Sequence, residues 1–109
     1  MLRIMEQANA DILCFGHTHK PYHRVLNAGT PETPHFRHAI NLGSVGKPKD
    51  GDPRGGYVML TIDEHLSIRH KDSLKVEFIR FTYDVEKAAM AVENSELPNA
   101  YADMLRKGY

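Results

Sequence analysis

Tryptophan is absent from these 109 residues, cysteine occurs once, and 14 Lys+Arg balance 14 Asp+Glu. A single thiol excludes an intramolecular disulfide framework and suits a reducing compartment. Zero formal net charge argues against a general nucleic-acid or anionic-membrane binder, because such proteins carry a clear excess of Lys and Arg. No apolar run approaches the ~20 residues that a bilayer span needs, and Met1-Leu2-Arg3-Ile4-Met5 holds no apolar segment of the secretory-signal type. Internal repeats and low-complexity tracts are missing too. The expectation is one cytoplasmic globular unit over residues 1–109, with no affinity for nucleic acid or membrane. What stands out by abundance is histidine: seven residues, most of them in the first half.

Leu2, Met5 and Ala8 recur at helical spacing and predict a short helix over residues 1 to 9. Asp11 to Phe15 reads as a buried strand in which Cys14 is an inert, covered thiol. Strands are also expected at Tyr22–Asn27 and His38–Leu42, separated by a surface loop that holds Gly29, Pro31 and Pro34. Residues 47 to 56 carry turn chemistry. Tyr57 to Ile62 has apolar residues at both parities, which predicts a strand covered on both faces. Leu66 to His70 reads as a short hairpin partner. The apolar phase of Val76 to Tyr83 changes midway and predicts a β-bulge near Phe78-Ile79. Asp84 is a good N-cap for a helix with Val85, Ala88, Ala89 and Val92 on one face. Pro98 suits the first turn of a second helix, and Gly108 suits its end. The order is one helix, five or six strands, then two helices: an α+β chain with a mostly antiparallel sheet.

The sharpest chemical feature is Gly16-His17-Thr18-His19, directly after the first strand. Two imidazoles two residues apart point the same way on an extended backbone and diverge if the chain turns. A strand-end loop can aim them at two neighbouring metal ions. Gly16 frees the chain to bend, and Thr18 is small enough to stand between the rings. Chance pairing in a histidine-rich chain is the competing explanation.

Gly16-His17-Thr18-His19-Lys20-Pro21-Tyr22, followed by Ile40-Asn41-Leu42-Gly43-Ser44-Val45-Gly46 and Asp50-Gly51-Asp52-Pro53-Arg54, resembles the last motif block of the calcineurin-like metallophosphoesterases. It looks most like their small bacterial and archaeal phosphodiesterase branch. The similarity continues through Tyr57–Ile62 and Phe81-Thr82-Tyr83-Asp84-Val85-Glu86, so it covers nearly the whole chain. It implies the C-terminal half of a four-layer α/β/β/α sandwich, with one N-terminal and two C-terminal helices. It also implies a phosphate-ester substrate and a pair of divalent ions (Mn, Zn, Fe or Ni) that activate water and neutralise phosphoryl oxygens. His17 and His19 are the ligands carried over, one to each metal, each with its second ring nitrogen held by an acceptor. Asn41 and Ser44 are candidates for such support, and Gly16 and Thr18 belong to the motif. Arg54 is a candidate phosphate contact, with a turn-stabilising pair to Asp50 or Asp52 as the alternative.

The family's earlier motifs (Asp-x-His, Gly-Asp and Gly-Asn-His) do not precede Gly16. Asp63-Glu64-His65 reads as a turn rather than a transplanted Asp-x-His, Gly51-Asp52 as a turn, and no Asn-His dipeptide exists. No catalytic set is complete in this chain. The expectation is a C-terminal fragment of a metal-dependent phosphoesterase, inactive alone; the alternative is a non-catalytic interaction scaffold of the same fold. A sheet lacking its cover would expose ~400 Å² of apolar face, so self-association through that face is expected. His23 and His38 are expected as strand-surface residues, and His35 and His70 as solvated ones.

Overall fold

The computed structural model describes all 109 residues. Helix α1 spans Leu2–Gln7, strands β1, β2 and β3 span Ile12–Phe15, Tyr22–Asn27 and Phe36–Asn41, and β4 spans Gly55–Thr61. A short 3-10 turn at Lys71–Ser73 precedes β5 (Lys75–Phe81), α2 (Val85–Glu93) and α3 (Ala100–Lys107). Mixed α+β architecture with three helices is what the sequence predicts. The strands form two sheets, one ordered β1-β3-β2 and the other a β4-β5 hairpin. No helix is long and apolar enough to cross a membrane.

The order within the first sheet decides where the histidine motif goes. β3 lies between β1 and β2, parallel to β1 and antiparallel to β2. Residues 16–21 therefore do not close a hairpin. They arch over the C-terminal end of β3, from Phe15, in register with Asn41, to Tyr22, in register with the same Asn41. The Phe15 and Tyr22 rings meet edge to face at 5.7 Å, within the favourable range for aromatic pairs. The centre of this sheet is the best-covered part of the molecule: His38, Ala39, Ile40 and Asn41 are all buried.

Elsewhere coverage is thin. The chain extends 57 × 26 × 18 Å with a radius of gyration of 17.7 Å, against about 13 Å for a compact domain of this length. Its surface of 7239 Å² exceeds by about 1100 Å² what a compact monomer of 12.4 kDa presents. The β4 strand illustrates the cause. Its Val58 and Leu60 side is half-buried, whereas Tyr57 and Met59 on the other side are 47% and 49% exposed. The apolar residues at both parities are real, but this chain covers only one side of them.

Three further expectations fail for identifiable reasons. Pairing of β4 with β5 runs unbroken from Gly55↔Phe81 to Thr61↔Lys75, so there is no bulge at Phe78-Ile79. The phase change reflects a strand with apolar residues on both faces, Val76 and Phe78 on one and Ile79 and Phe81 on the other. Leu66 to His70 is not a strand; it docks as a loop on the start of β3, with the Phe36 N–H donating to the Ile68 carbonyl at 2.7 Å. Cys14 is exposed, because its side of the edge strand β1 has no cover.

The helical end follows its sequence signals. The Lys87 N–H donates to the Asp84 carboxylate as an N-cap, and Gly108 closes α3 in the left-handed conformation at φ 76°. Ala89 and Ala102 are fully buried, and Arg106 joins the helices by binding Glu86 and Glu93. Ile40→Ala, at a fully buried site, is expected to cost about 2–5 kcal/mol in urea unfolding. Val45→Ser, at a position 68% exposed, is expected to stay within about 0.5 kcal/mol; similar losses for both would mean that the first sheet is not the core.

Candidate metal centre

His17 and His19 both lie in the left-handed region, at φ 85° and 61°. Gly16, expected to supply the bend, has no positive φ; the histidines themselves turn the chain. Such backbone is uncommon outside glycine, though His tolerates it better than most, and it carries strain of order 1 kcal/mol or more per residue. A left-handed residue on each side of Thr18 makes the backbone change direction twice. The sequence leaves open whether the rings share a direction, and this double turn excludes the extended alternative.

Two anchors hold the arch. Asn41, fully buried beneath it, accepts from the Gly43 N–H at 2.9 Å and donates through Nδ2 to Thr18 Oγ1 at 2.8 Å. His19 Nδ1 lies 2.8 Å from the Lys47 carbonyl. A carbonyl only accepts, so Nδ1 carries the proton, and in the neutral ring Nε2 is the nitrogen with the lone pair. The Lys49 N–H donates to the His19 carbonyl at 3.1 Å, and the Lys47 N–H donates to Ser44 Oγ at 2.9 Å. Ser44 thus shapes the turn that carries the acceptor for His19. Asn41 and Ser44 both act here, but on Thr18 and on the Lys47 turn rather than on an imidazole directly.

Gly43 makes this turn fit. Its φ is +74°, and a Cβ there would sit 3.1 Å from the Pro21 ring, so both strain and crowding favour glycine. His17 is exposed and has no side-chain partner holding its ring. No three His, Cys, Asp or Glu side chains come together in an arrangement able to hold a metal ion. His19 nonetheless has one feature a ligand needs, a ring with one nitrogen held by an acceptor and the other without a partner.

Arg54 forks onto Asp52, with Nη2 to Oδ2 at 2.7 Å and Nε to Oδ1 at 3.0 Å. The guanidinium pulls the Asp52 carboxyl down to about 2. The neighbouring Arg80 binds Asp50. Beside the turn, a cleft of about 400 Å³ is lined by Leu42, Gly43, Val45, Gly56, Tyr57 and Val58.

The remaining histidines find partners that sequence reading did not anticipate. His35 Nε2 binds Asp11 Oδ1 at 2.7 Å, so it is paired rather than simply solvated. Arg37, unremarkable in the sequence, is buried and donates to the Ala10 carbonyl at 2.6 Å. His23 Nε2 and His38 Nδ1 share a hydrogen at 2.9 Å, with their rings stacked at 5.2 Å. The signal was available: His23 pairs with Ile40 and Val25 with His38, which makes the two histidines diagonal neighbours on one face. Asp63 to His65 is a turn, as expected.

With this geometry in place, comparison with known proteins identifies the class. The sequence profile of the calcineurin-like phosphoesterase superfamily domain matches residues 1–65. The chain belongs to that superfamily. An uncharacterized protein of Methanocaldococcus jannaschii is 30% identical over 105 residues, 90% of this chain and 40% of that protein. The crystal structure of a metallophosphoesterase from Sphaerobacter thermophilus superposes with a TM-score of 0.63 at 26% identity, over 91% of this chain and 43% of that one. The chain thus spans less than half the length of either relative.

Burial lowers the His23 pKa below its ordinary value, and burial followed by the His23 charge lowers that of His38. The unfolded chain then binds protons that the folded pair refuses, so stability is full above about 6.5 and falls as pH drops below it. Urea midpoints should decline from pH 7 to pH 5, and the decline should flatten in the His23→Gln/His38→Gln double variant; an equal slope in both proteins would remove the pair from the account.

Proposed function

We propose that this chain is the C-terminal part of a divalent-metal-dependent phosphoesterase, to which it supplies His17 and His19. The observation that carries the proposal is the pair of left-handed histidines held over the end of β3 by Asn41 and the Lys47 carbonyl. Backbone strain at two candidate ligands, held by a buried amide and a ring-to-carbonyl bond, supports a functional site. The donor chemistry fits Mn, Zn, Fe or Ni, but two imidazoles are a minority share of a dinuclear centre. When bound, the ions would activate water and neutralise phosphoryl oxygens for in-line displacement. In this chain His19 presents Nε2, Asn41 and Ser44 shape the loops around it, and Arg54 offers a fork for a phosphate in exchange for Asp52. The free, exposed Cys14 supports a reducing, cytoplasmic setting.

The deciding measurement assays phosphodiester and phosphomonoester hydrolysis, with metal analysis. It compares this chain with one extended by about 130 N-terminal residues, close to one more domain's worth. Activity is expected only in the longer protein, and His17→Ala or His19→Ala there should lower it by ~100-fold or more. Full activity in either variant would remove that histidine from the centre.

We also propose that the isolated chain self-associates through the apolar side of β4 and β5. Tyr57, Met59 and Phe81 are exposed together there, an apolar cluster of the kind that marks an interaction surface. Sedimentation at tens of micromolar should give a dimer or larger species, and Met59→Lys should shift it toward monomer. A well-behaved wild-type monomer would refute this.

A further inference from the structure

One buried amide connects both loops of the candidate centre. The Gly43 N–H can only donate, so the Asn41 oxygen must face it, and Asn41 Nδ2 is thereby left to donate to Thr18 Oγ1. Asn41 holds the turn after β3 with one end of its amide and the arch after β1 with the other. Its side chain has no exposure, so losing either bond would leave a buried polar group unpartnered rather than hydrated. Thr18 lies between the two left-handed residues, where fixing its side chain fixes the backbone on both sides. The His19 ring reaches the Lys47 carbonyl only while the arch and the turn keep this spacing.

We infer that Asn41 is a positioning residue for the histidine pair, acting through Thr18: it keeps His19 in the tautomer whose Nε2 lone pair is free. As a statement about metal ligands this rests on the proposed function, but the tautomer is a property of the chain alone. Thr18 itself is exposed, so Thr18→Val removes the acceptor without opening a cavity in the core. Thr18→Ser restores it.

The experiment uses the 15N-labelled 109-residue chain and reads imidazole nitrogens in long-range 1H–15N spectra, then titrates Zn2+ alone into the same variants of the N-terminally extended protein. In the wild type His19 should show a protonated Nδ1 and a bare Nε2. In Thr18→Val and Asn41→Ala its signals should move to the averaged tautomers of a solvated imidazole, and Thr18→Ser should keep the wild-type pattern. Unchanged His23 and His38 signals report that the sheet is intact, and if Asn41→Ala does not fold, Thr18→Val decides. Zn2+ affinity should fall about tenfold in Thr18→Val, the usual cost of losing outer support for a ligand, and stay within about twofold in Thr18→Ser. A wild-type His19 that already averages, or a Thr18→Val spectrum identical to wild type, overturns the inference. Absence of Zn2+ binding by the extended wild type, when the 109-residue chain shows the locked tautomer, overturns the metal assignment instead and leaves the positioning role standing.

Discussion

The contact between Asn41 and Thr18 organises the end of the first sheet. Its position follows from strand order: because β3 is inserted between β1 and β2, the segment joining those two must cross the end of β3. The residue at that end lies beneath whatever crosses it. A hydrophobic side chain there would leave the arch without a partner for its polar groups. An amide supplies one donor and one acceptor in fixed directions, which suits two loops approaching from opposite sides. Phe15 and Tyr22 flank Asn41 on the neighbouring strands and help to exclude water from it. Low local dielectric strengthens the bonds that remain and raises the cost of losing them.

Much of this was legible in the sequence, unevenly. The three helices, the cap at Asp84 and the left-handed Gly108 follow from local chemistry that needs no tertiary partner. The His17/His19 motif was legible from spacing, and its family from the blocks around it. What failed was whatever depends on a neighbour. Periodicity records which faces of β4 and β5 are apolar, but not which of them this chain covers; an uncovered apolar face was expected, and it is the Tyr57 and Met59 side that lies open. The same ambiguity turned a two-sided strand into a supposed bulge. Cys14 was expected in an interior strand, yet β1 is at the edge. Gly16 attracted the bend because glycine is the usual residue for it, whereas the double turn falls on the histidines.

Shape and site point in the same direction. A radius of gyration about a third above that of a compact domain and apolar residues on the open side of a hairpin describe a fold with one apolar side uncovered. A candidate centre with two donors and no third describes a site in the same condition. These are independent observations, one from packing and one from side-chain chemistry. Both agree with a chain that spans 40% and 43% of its two relatives.

A comparison of magnitudes shows why the arch needs its anchors. Two left-handed non-glycine residues cost of order 1 kcal/mol or more each. The opposing contributions are the amide contact to Thr18 and the ring contact to Lys47, each about 1 kcal/mol net. The balance is near zero, so neither bond is dispensable, and losing one would let His17 or His19 relax to negative φ. An arch so poised gains order from any ligand that prefers the strained geometry, by the ordinary linkage between binding and conformation. Histidines chosen only to turn the chain would be better replaced by glycine, which takes positive φ without strain. At His19 the ring's own bond to the Lys47 carbonyl offsets part of that cost; at His17, whose ring is exposed and has no partner, nothing in the fold does.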